Sequence, residues 1–389
     1  MKIRSHKLAD HHFGNQWHEQ IEDRWHYHDF QNDLHWRRDW ISVDGVLHHQ
    51  PTDRVYLGIT NFGADIFKAW DRRSERFVDL GFAEVCDPYD AKFHRSMQLS
   101  RDGKTLYAAT ALLHDVDRYF EAPGGGIYAH DIASGRSSKL GVPIPHIYIQ
   151  SIALDEQRGV IYSMHFTPER LSRFDLAKGE AQDLGPISSG FTMAQGENVQ
   201  LDDDGCAWCG WHLTRAWQNQ PGVDSHRLCK YDPRREKIVY FQTGLPRRDG
   251  QHGFAKVEGL FNLGDGCLYA SGDNGSLYRV DTDSGAATYL GTPIPDRPSR
   301  LTNLVMHSDG YAYGITGRKG DCQLLRFDPK TGGYELGAKI IDEDAEPMWQ
   351  CHDVTMTPEG VLFGGENDNP YRSGYLWQID LQGDRGAEL

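Results

Sequence analysis

The sequence lacks long apolar runs, and it has few basic residues for its length. No apolar stretch approaches the roughly 18 residues that a membrane-spanning helix needs. The N-terminus, Met1-Lys2-Ile3-Arg4-Ser5-His6, has no apolar core of a signal peptide. Lys and Arg number 41 against 56 Asp and Glu, a formal net charge of −15. Because phosphate backbones need basic surfaces, we expect no nucleic-acid partner. We also expect no membrane span, and a cytoplasmic protein as written or a secreted one if a leader was removed.

Familiar enzyme signatures and a disulfide framework are missing too. The chain has no Gly-x-Ser-x-Gly elbow and no phosphate-binding glycine-rich loop. The seven cysteines are an odd number without compact spacing, which favours reduced thiols in strands over disulfides. Cys206-x-x-Cys209, with His226 and Cys229 downstream, has the spacing of a structural zinc site. However, Cys206 and Cys209 lie on or beside a predicted strand, where their side chains should point to opposite faces. A zinc site stays an alternative.

What the sequence does contain is a short phrase that recurs seven times, a tight turn followed by an apolar, β-prone strand. Its copies lie roughly 44 to 61 residues apart, which is typical of a four-stranded propeller blade. A blade cannot bury both of its faces without neighbours, so the repeat favours one domain over residues 1–389. The turns of the seven copies are Thr52-Asp53, Asp102-Gly103, Arg158-Gly159, Asp204-Gly205, Asp265-Gly266, Asp309-Gly310 and Glu359-Gly360.

The first strand of most repeats alternates in polarity and starts with a polar residue, as in Arg95, Met97 and Leu99. The seventh repeat has no fourth segment, because the chain runs out after Leu376-Trp377-Gln378-Ile379-Asp380. We expect the N-terminal region to supply the missing strand and to hide two sheet edges. The sequence therefore predicts an all-β, seven-bladed propeller with four-stranded antiparallel blades over about 38–389. Residues 1–37 would close and decorate the ring.

Strand order in such a blade sorts the loops into two faces. The loops that enter first strands and the loops between second and third strands share one face, where function usually lies. Most of the His, Tyr, Trp and Arg residues suited to chemistry fall on that face. The longest such loop, 110–126, predicts a lid or a substrate wall, or else a packed surface loop. The loop at 211–219 carries two Trp, a His and an Arg.

Three residues near the predicted axis could hold a structural divalent cation such as calcium. Glu197, Glu258 and His352 would converge there, and carboxylates that converge repel one another unless a metal or a proton intervenes. The alternative is that each pairs with a neighbouring arginine such as Arg95 or Arg300. Nine histidines fall within the first 49 residues without a diagnostic spacing, so we interpret them as scattered.

Four segments carry a resemblance to a known family: 92–96, 145–151, 214–219 and 365–373. With them the chain resembles the seven-bladed propeller polysaccharide lyases. It is most similar to the L-rhamnose-α-1,4-D-glucuronate lyases, with the ulvan lyases as more distant relatives. The resemblance implies β-elimination on an acidic oligo- or polysaccharide, such as gum arabic or arabinogalactan, with no required cofactor. Enzymes of this family are usually secreted.

Such a lyase removes the C5 proton of a uronate and expels the substituent on C4. Cationic groups must stabilise the developing charge, and a His or Tyr pair must move the protons. We predict that Tyr148 and His94 form this pair, with His114 as an alternate member. Arg215 would bind the carboxylate with help from Arg95 or His165. Trp211 or Trp217 would stack on the sugar. For Tyr148, the alternative is a blade-packing tyrosine.

Two rival hypotheses remain open. A metal-dependent lactonase or related hydrolase could place Glu197, Asn198, Asn303 and Asp353 around a cation, although such propellers usually have six blades. A non-enzymatic, carbohydrate-binding propeller would need fewer His and Arg residues on one face.

Overall fold

The computed structural model describes residues 1–12, 40–63, 65–188, 198–212, 226–246 and 256–381. Within these ranges the regular structure is β-strand, apart from single 3-10 turns at Phe82–Glu84, Val116–Arg118 and Asp273–Gly275. No helix of these ranges is long and apolar enough to span a membrane. The predicted all-β class is confirmed.

The strands of the described ranges fall into six consecutive groups of four and a seventh that joins the last three strands to the N-terminal strand, and the pairing within each group is antiparallel. We call the groups blades 1 to 7 in chain order. Blade 1 has β2 (Ser42–His49), β3 (Arg54–Thr60), β4 (Phe67–Asp71) and β5 (Arg76–Asp79). Blade 2 has β6 (Asp90–Leu99), β7 (Thr105–Leu112), β8 (Ile127–Asp131) and β9 (Arg136–Gly141). Blade 3 has β10 (Tyr148–Asp155), β11 (Val160–Phe166), β12 (Arg170–Asp175) and β13 (Glu180–Pro186).

The remaining blades repeat this arrangement with shorter strands. Blade 4 has β14 (Gln200–Leu201), β15 (Ala207–His212), β16 (His226–Asp232) and β17 (Lys237–Tyr240). Blade 5 has β18 (Val257–Asn262), β19 (Leu268–Gly272), β20 (Leu277–Val280) and β21 (Ala287–Gly291). Blade 6 has β22 (Val305–Met306), β23 (Ala312–Thr316), β24 (Gln323–Phe327) and β25 (Tyr334–Lys339). Blade 7 has β26 (Cys351–Met356), β27 (Val361–Glu366), β28 (Leu376–Asp380) and the N-terminal β1 (Lys2–His6).

The two ends of the described chain meet in blade 7. Strand β1 pairs antiparallel with β28, so that Lys2 lies opposite Asp380. The first and last blades also bind each other directly through their first strands. The Val46 N–H donates to Asp353 Oδ2 at 3.0 Å, and the His48 N–H donates to Thr355 Oγ1 at 3.0 Å. Blades 1 and 7 are therefore neighbours.

The repeated turn has a common backbone conformation that explains its composition. The second residue of the turn adopts a positive φ in all seven copies, from +54° at Asp53 to +88° at Gly310. Only glycine adopts this region without steric cost, and Asp tolerates it better than most residues. This is why five of the copies read Asp-Gly or Glu-Gly, and why the turn could be recognised in the sequence.

The core lies between the blades. Tyr162 of blade 3 and Cys209 of blade 4 belong to one buried cluster, and Trp208 packs with Leu260 of blade 5 in the next. Because alternate side chains of a strand point to opposite faces, each blade fills the two spaces beside it. This packing fixes the first strands around the central axis.

Candidate active site at the ring axis

A register shift recurs in the first strands of the blades. The pairing with the second strand skips one residue at Asp44, Gln150, Glu258 and His352. In β6 the shift falls between Phe93 and Met97, a segment that includes His94. A bulge leaves the extra residue outside the ladder and re-aims its side chain. We call these bulge residues the axial layer: Asp44, His94, Gln150, Glu258 and His352.

Contacts across the ring show that this layer lies at the axis. Arg95 of blade 2 donates from Nη1 to the Glu258 carbonyl of blade 5 at 2.8 Å and to Asn198 Oδ1 of blade 4 at 2.6 Å. Its Nη2 lies 3.4 Å from Glu258 Oε1. Blades 2 and 5 are three places apart in the ring, so a side chain can join them only through the centre. The Arg95 side chain is 4 % exposed and fixed there.

Glu258 is surrounded by cations. Besides Arg95, Arg300 donates from Nε to Oε1 at 2.6 Å, and Lys256 Nζ lies 3.0 Å from Oε2. This is the arginine-pairing arrangement that the sequence left open as the alternative to a cation site. In the described ranges no group of three or more His, Cys, Asp or Glu side chains is placed to hold a metal ion. Glu197, the third residue of the predicted cation site, lies outside these ranges.

The two axial histidines are held in one tautomer. His94 Nδ1 lies 3.0 Å from the Gln150 carbonyl, and His352 Nδ1 lies 2.6 Å from the Asp44 carbonyl. Since a carbonyl oxygen only accepts, each Nδ1 carries a proton. The two rings meet edge to face with centroids 4.4 Å apart. The axial layer therefore contains two adjacent imidazoles whose Nδ1 atoms are fixed as donors.

A second set of side chains lies two residues before the axial layer, about 7 Å along each strand toward the loop face. We call it the mouth layer: Ser42, Lys92, Tyr148, Lys256 and Gln350, together with Arg300, which bonds to Glu258. Lys92 Nζ lies 3.2 Å from Asp44 Oδ1, which joins the two layers. Lys92 and Lys256 are 19 % and 26 % exposed, so solvent reaches them.

Positive charge outweighs negative charge in these two layers. With Arg95, their described residues hold four cationic side chains and two carboxylates, a surplus of two positive charges. The chain as a whole carries −15. A local reversal of sign at a cleft attracts anionic ligands. The site is therefore suited to bind a carboxylate or a similar anion.

The long loop after β7 is fastened to the start of β10, where Tyr148 lies. The Gly125 N–H donates to the Ile147 carbonyl at 2.9 Å, and the His146 N–H donates to the Pro123 carbonyl at 3.1 Å. Half-buried Tyr148 packs against Phe166 on β11, with ring centroids 5.3 Å apart. The loop thus forms part of the rim around Tyr148.

Two histidines of this rim share the tautomer of the axial pair. His146 Nδ1 lies 2.8 Å from the Ala122 carbonyl, and His114 Nδ1 lies 2.9 Å from the Asp115 carbonyl. His146 has a φ of +67°, a left-handed conformation that is uncommon outside glycine. The sequence placed His146 on the functional face but did not select it as a site residue. Its strained backbone and fixed ring could not be read from residue types.

One predicted ligand-binding residue, His165, has a structural position instead, and a second, Trp211, is bonded within its own blade. His165 is fully buried, and its Nε2 lies 2.8 Å from Ser172 Oγ. Burial lowers the pKa of His165 to about 3, so the ring is neutral and cannot contact a substrate carboxylate. Trp211 donates from Nε1 to the Leu228 and Phe241 carbonyls at 3.0 and 3.2 Å, which ties it to its own blade. Arg215 and Trp217 lie outside the described residues.

The segment 365–373 also builds the fold rather than the site. Arg372 donates to both oxygens of Glu366, at 2.7 and 3.2 Å, and both side chains are at most 2 % exposed. Glu366 also accepts from the Trp349 and Tyr375 N–H groups and from Trp377 Nε1. This saturated carboxylate fastens β27 and β28 to the chain before β26.

Neither a family model nor a curated protein matches the sequence. Solved structures do match, at low identity. Virginiamycin B lyase from Staphylococcus aureus is 14 % identical with a TM-score of 0.59, over 87 % of this chain and 95 % of that chain. The WD40 propeller domain of Doa1 is 11 % identical with a TM-score of 0.55, over 89 % and 94 %.

A third similar structure is the extracellular domain of a one-component system from B. thetaiotaomicron. It is 12 % identical with a TM-score of 0.54, over 87 % of this chain but only 38 % of that longer chain. Identities this low show the fold alone. The β-propeller prediction is confirmed, and the neighbours include both a lyase and WD40 proteins.

Proposed function

We propose that this protein is a polysaccharide lyase that cleaves the glycosidic bond to C4 of a uronate by β-elimination. The proposed substrate is glucuronate, capped by rhamnose, in an acidic oligo- or polysaccharide. The observation that supports this proposal is the cationic mouth layer above two adjacent histidines with fixed rings. Elimination at a uronate needs both features, one to stabilise the developing charge and one to move protons.

Lys92, Lys256 and Arg300 bind the uronate carboxylate in this proposal. They are the cations of the mouth layer, and the two lysines are accessible to solvent. As the C5 proton leaves, negative charge spreads onto the carboxylate, and fixed cations stabilise it most where water is excluded. Arg95 is buried and bonded to Glu258 and Asn198, so it acts as a positioning residue.

Tyr148 and His94 move the protons. The Gln150 carbonyl that fixes His94 lies two residues, about 7 Å along the strand, from Tyr148. In this proposal the sugar ring lies in the mouth layer beside the Tyr148 hydroxyl and above His94, which is 3 % exposed. One group takes the C5 proton and the other returns a proton to the departing C4 oxygen. His114, with its Nδ1 proton also fixed, is the alternate member.

The reaction needs no cofactor, since proton transfer and charge stabilisation are both supplied by side chains. Glu258 is neutralised by three cationic side chains, so its charge requires no structural calcium ion.

The test is incubation with gum arabic while the ultraviolet absorbance of a 4,5-unsaturated uronate is followed. A lyase raises the absorbance without added metal. Reducing sugar without that absorbance would identify a hydrolase, the lactonase-type rival. Binding without either signal, measured by calorimetry, would identify a carbohydrate-binding propeller.

Two variants test the assigned residues. Tyr148→Phe and His94→Ala should each lower kcat by about 10²- to 10⁴-fold, the usual contribution of a positioned acid or base. Tyr371→Phe and His12→Ala are matched controls at exposed positions and should leave kcat unchanged. Full activity in the first two variants, together with loss of activity in a chelator, would contradict the assignment.

A further inference from the structure

The cysteine motif of the sequence separates into two parts in blade 4. Cys206 packs with Trp208 in the cluster shared with blade 5, whereas Cys209 packs with Tyr162 in the cluster shared with blade 3. The prediction that Cys206 and Cys209 face opposite sides is confirmed. Cys209 instead lies directly opposite Cys229 on β16, with the two Sγ atoms 3.4 Å apart.

This pair has the geometry that a disulfide requires. Directly opposed residues of antiparallel strands have Cα atoms about 4.5 to 5.5 Å apart, and a disulfide spans about 4.4 to 6.8 Å. The sulfur atoms need to approach by only about 1.3 Å to reach the bond length of about 2.05 Å. Both thiols are fully buried, so no water or charged group competes for them at this contact.

We propose that Cys209 and Cys229 form a disulfide when the chain folds under oxidising conditions. The co-reactant is a small disulfide such as oxidised glutathione. One cysteine thiolate attacks it and releases one small thiol, and the second thiolate attacks the mixed disulfide and releases the other. One S–S bond forms in the protein, and the two electrons and two protons leave with the two small thiols.

Burial determines when this reaction occurs. The apolar surroundings raise the pKa of the Cys229 thiol well above its usual range, so the folded protein contains little of the reactive thiolate. Exchange therefore takes place while β15 and β16 are still open to solvent. The bond then reinforces a blade whose inner strand, β14, has only two residues.

The test starts from the full chain, unfolded and refolded in a glutathione redox buffer, then alkylated and digested with trypsin. Cys229 is released in the tripeptide Leu228-Cys229-Lys230, and Cys209 in peptide 179–215, which also contains Cys206. We expect these two peptides to be cross-linked and the free thiols to fall from seven to five. The cross-link should raise Tm by about 3 to 6 °C, and a reductant should reverse the shift.

Two variants identify the sulfur atoms. Cys206→Ala is the matched control and should keep the cross-link, whereas Cys209→Ala should abolish it. Prolonged exposure of the folded wild-type protein to oxidised glutathione at alkaline pH supplies a second route, independent of refolding. The proposal is overturned if Cys209 and Cys229 are both alkylated after each treatment, or if the tripeptide is linked to a cysteine other than Cys209.

Discussion

Glu258 and Glu366 are both buried and both bonded to arginine, yet their surroundings differ. Glu366 has one cationic partner that bonds to both of its oxygens, and its other donors are N–H groups of its own blade and of the chain leading into it. Glu258 has cationic partners from three blades, two of them in the mouth layer. The charge of Glu366 is balanced by one arginine and shielded from solvent. Glu258 instead lies among more cations than carboxylates.

The difference separates a structural ion pair from a site. A buried pair whose donors all belong to the fold fixes one arrangement of the chain and offers nothing to a ligand. Cations that outnumber carboxylates and remain accessible can exchange a water molecule for an anion. Burial and ion pairing alone would have given the two glutamates the same role.

The largest effect that tests this difference is expected when each glutamate is replaced by glutamine. In Glu366→Gln the amide nitrogen faces groups that only donate, and Arg372 loses its counter-charge. We expect a loss of about 3 to 5 kcal/mol in the free energy of unfolding, measured with urea. Glu258→Gln should cost only about 1 to 2 kcal/mol, because the mouth-layer cations reach solvent. Equal losses would remove the distinction between the two sites.

Buried histidines should make the free energy of unfolding depend on pH. Burial lowers the pKa of His165 and of His226 to about 3, and the charged groups near His226 are the cations Lys256 and Arg227. Both rings are neutral when folded but protonate near pH 6.5 when unfolded. Stability is therefore complete above about pH 6.5 and falls as the pH drops toward 3.

Between pH 7.5 and 5.5 these two rings together should lower the free energy of unfolding by about 2 to 3 kcal/mol, up to about 1.4 kcal/mol per pH unit for each histidine below pH 6.5. His130, whose pKa burial lowers to about 4, adds to this loss. Urea titrations at the two pH values measure this loss. His165→Gln should reduce the loss by about 1.4 kcal/mol. A pH-independent free energy in the wild-type protein would show that these rings are not buried as neutral groups.

The smallest expected effect tests whether the mouth layer binds anions. Lys256→Met removes one accessible cation and should raise KM for an acidic glycan about tenfold, or about 1.4 kcal/mol, with little change in stability. The salt dependence of KM should weaken as well. Lys104→Met, at a 77 % exposed position with an acidic neighbour, is the control and should change neither. An unchanged KM in Lys256→Met would exclude the mouth layer as the anion site.

The fold follows from the sequence because the repeated turn has a local cause. A positive φ restricts the residue type wherever the turn occurs, so glycine or aspartate recurs at that position in all seven copies. The polar residues that lead the first strands could also be recognised, and Glu258 and His352 do lie at the axis. Arginine was also predicted from the sequence as the alternative partner of Glu258.

The details of the site depend on information that residue types do not carry. A bulge is a change of register by one residue, and the residue types near Gln150 and Glu258 do not predict it. The bond from Arg95 to blade 5 joins residues 163 positions apart. His165 and Trp211 have the residue types of a sugar site, but the blade buries the first and fastens the second. Lys92 and Lys256 were missed because single lysines on strands are common.

The pairing of β1 with β28 has a consequence for how the protein is made. Lys2 and Asp380, which lie far apart in the sequence, must meet before blade 7 is complete. Contacts between such distant residues form slowly, since a long loop must close first. During synthesis the first six blades can emerge and begin to pack, but the ring stays open until the last strand leaves the ribosome. The axial layer, to which His352 of blade 7 belongs, is therefore completed late in folding.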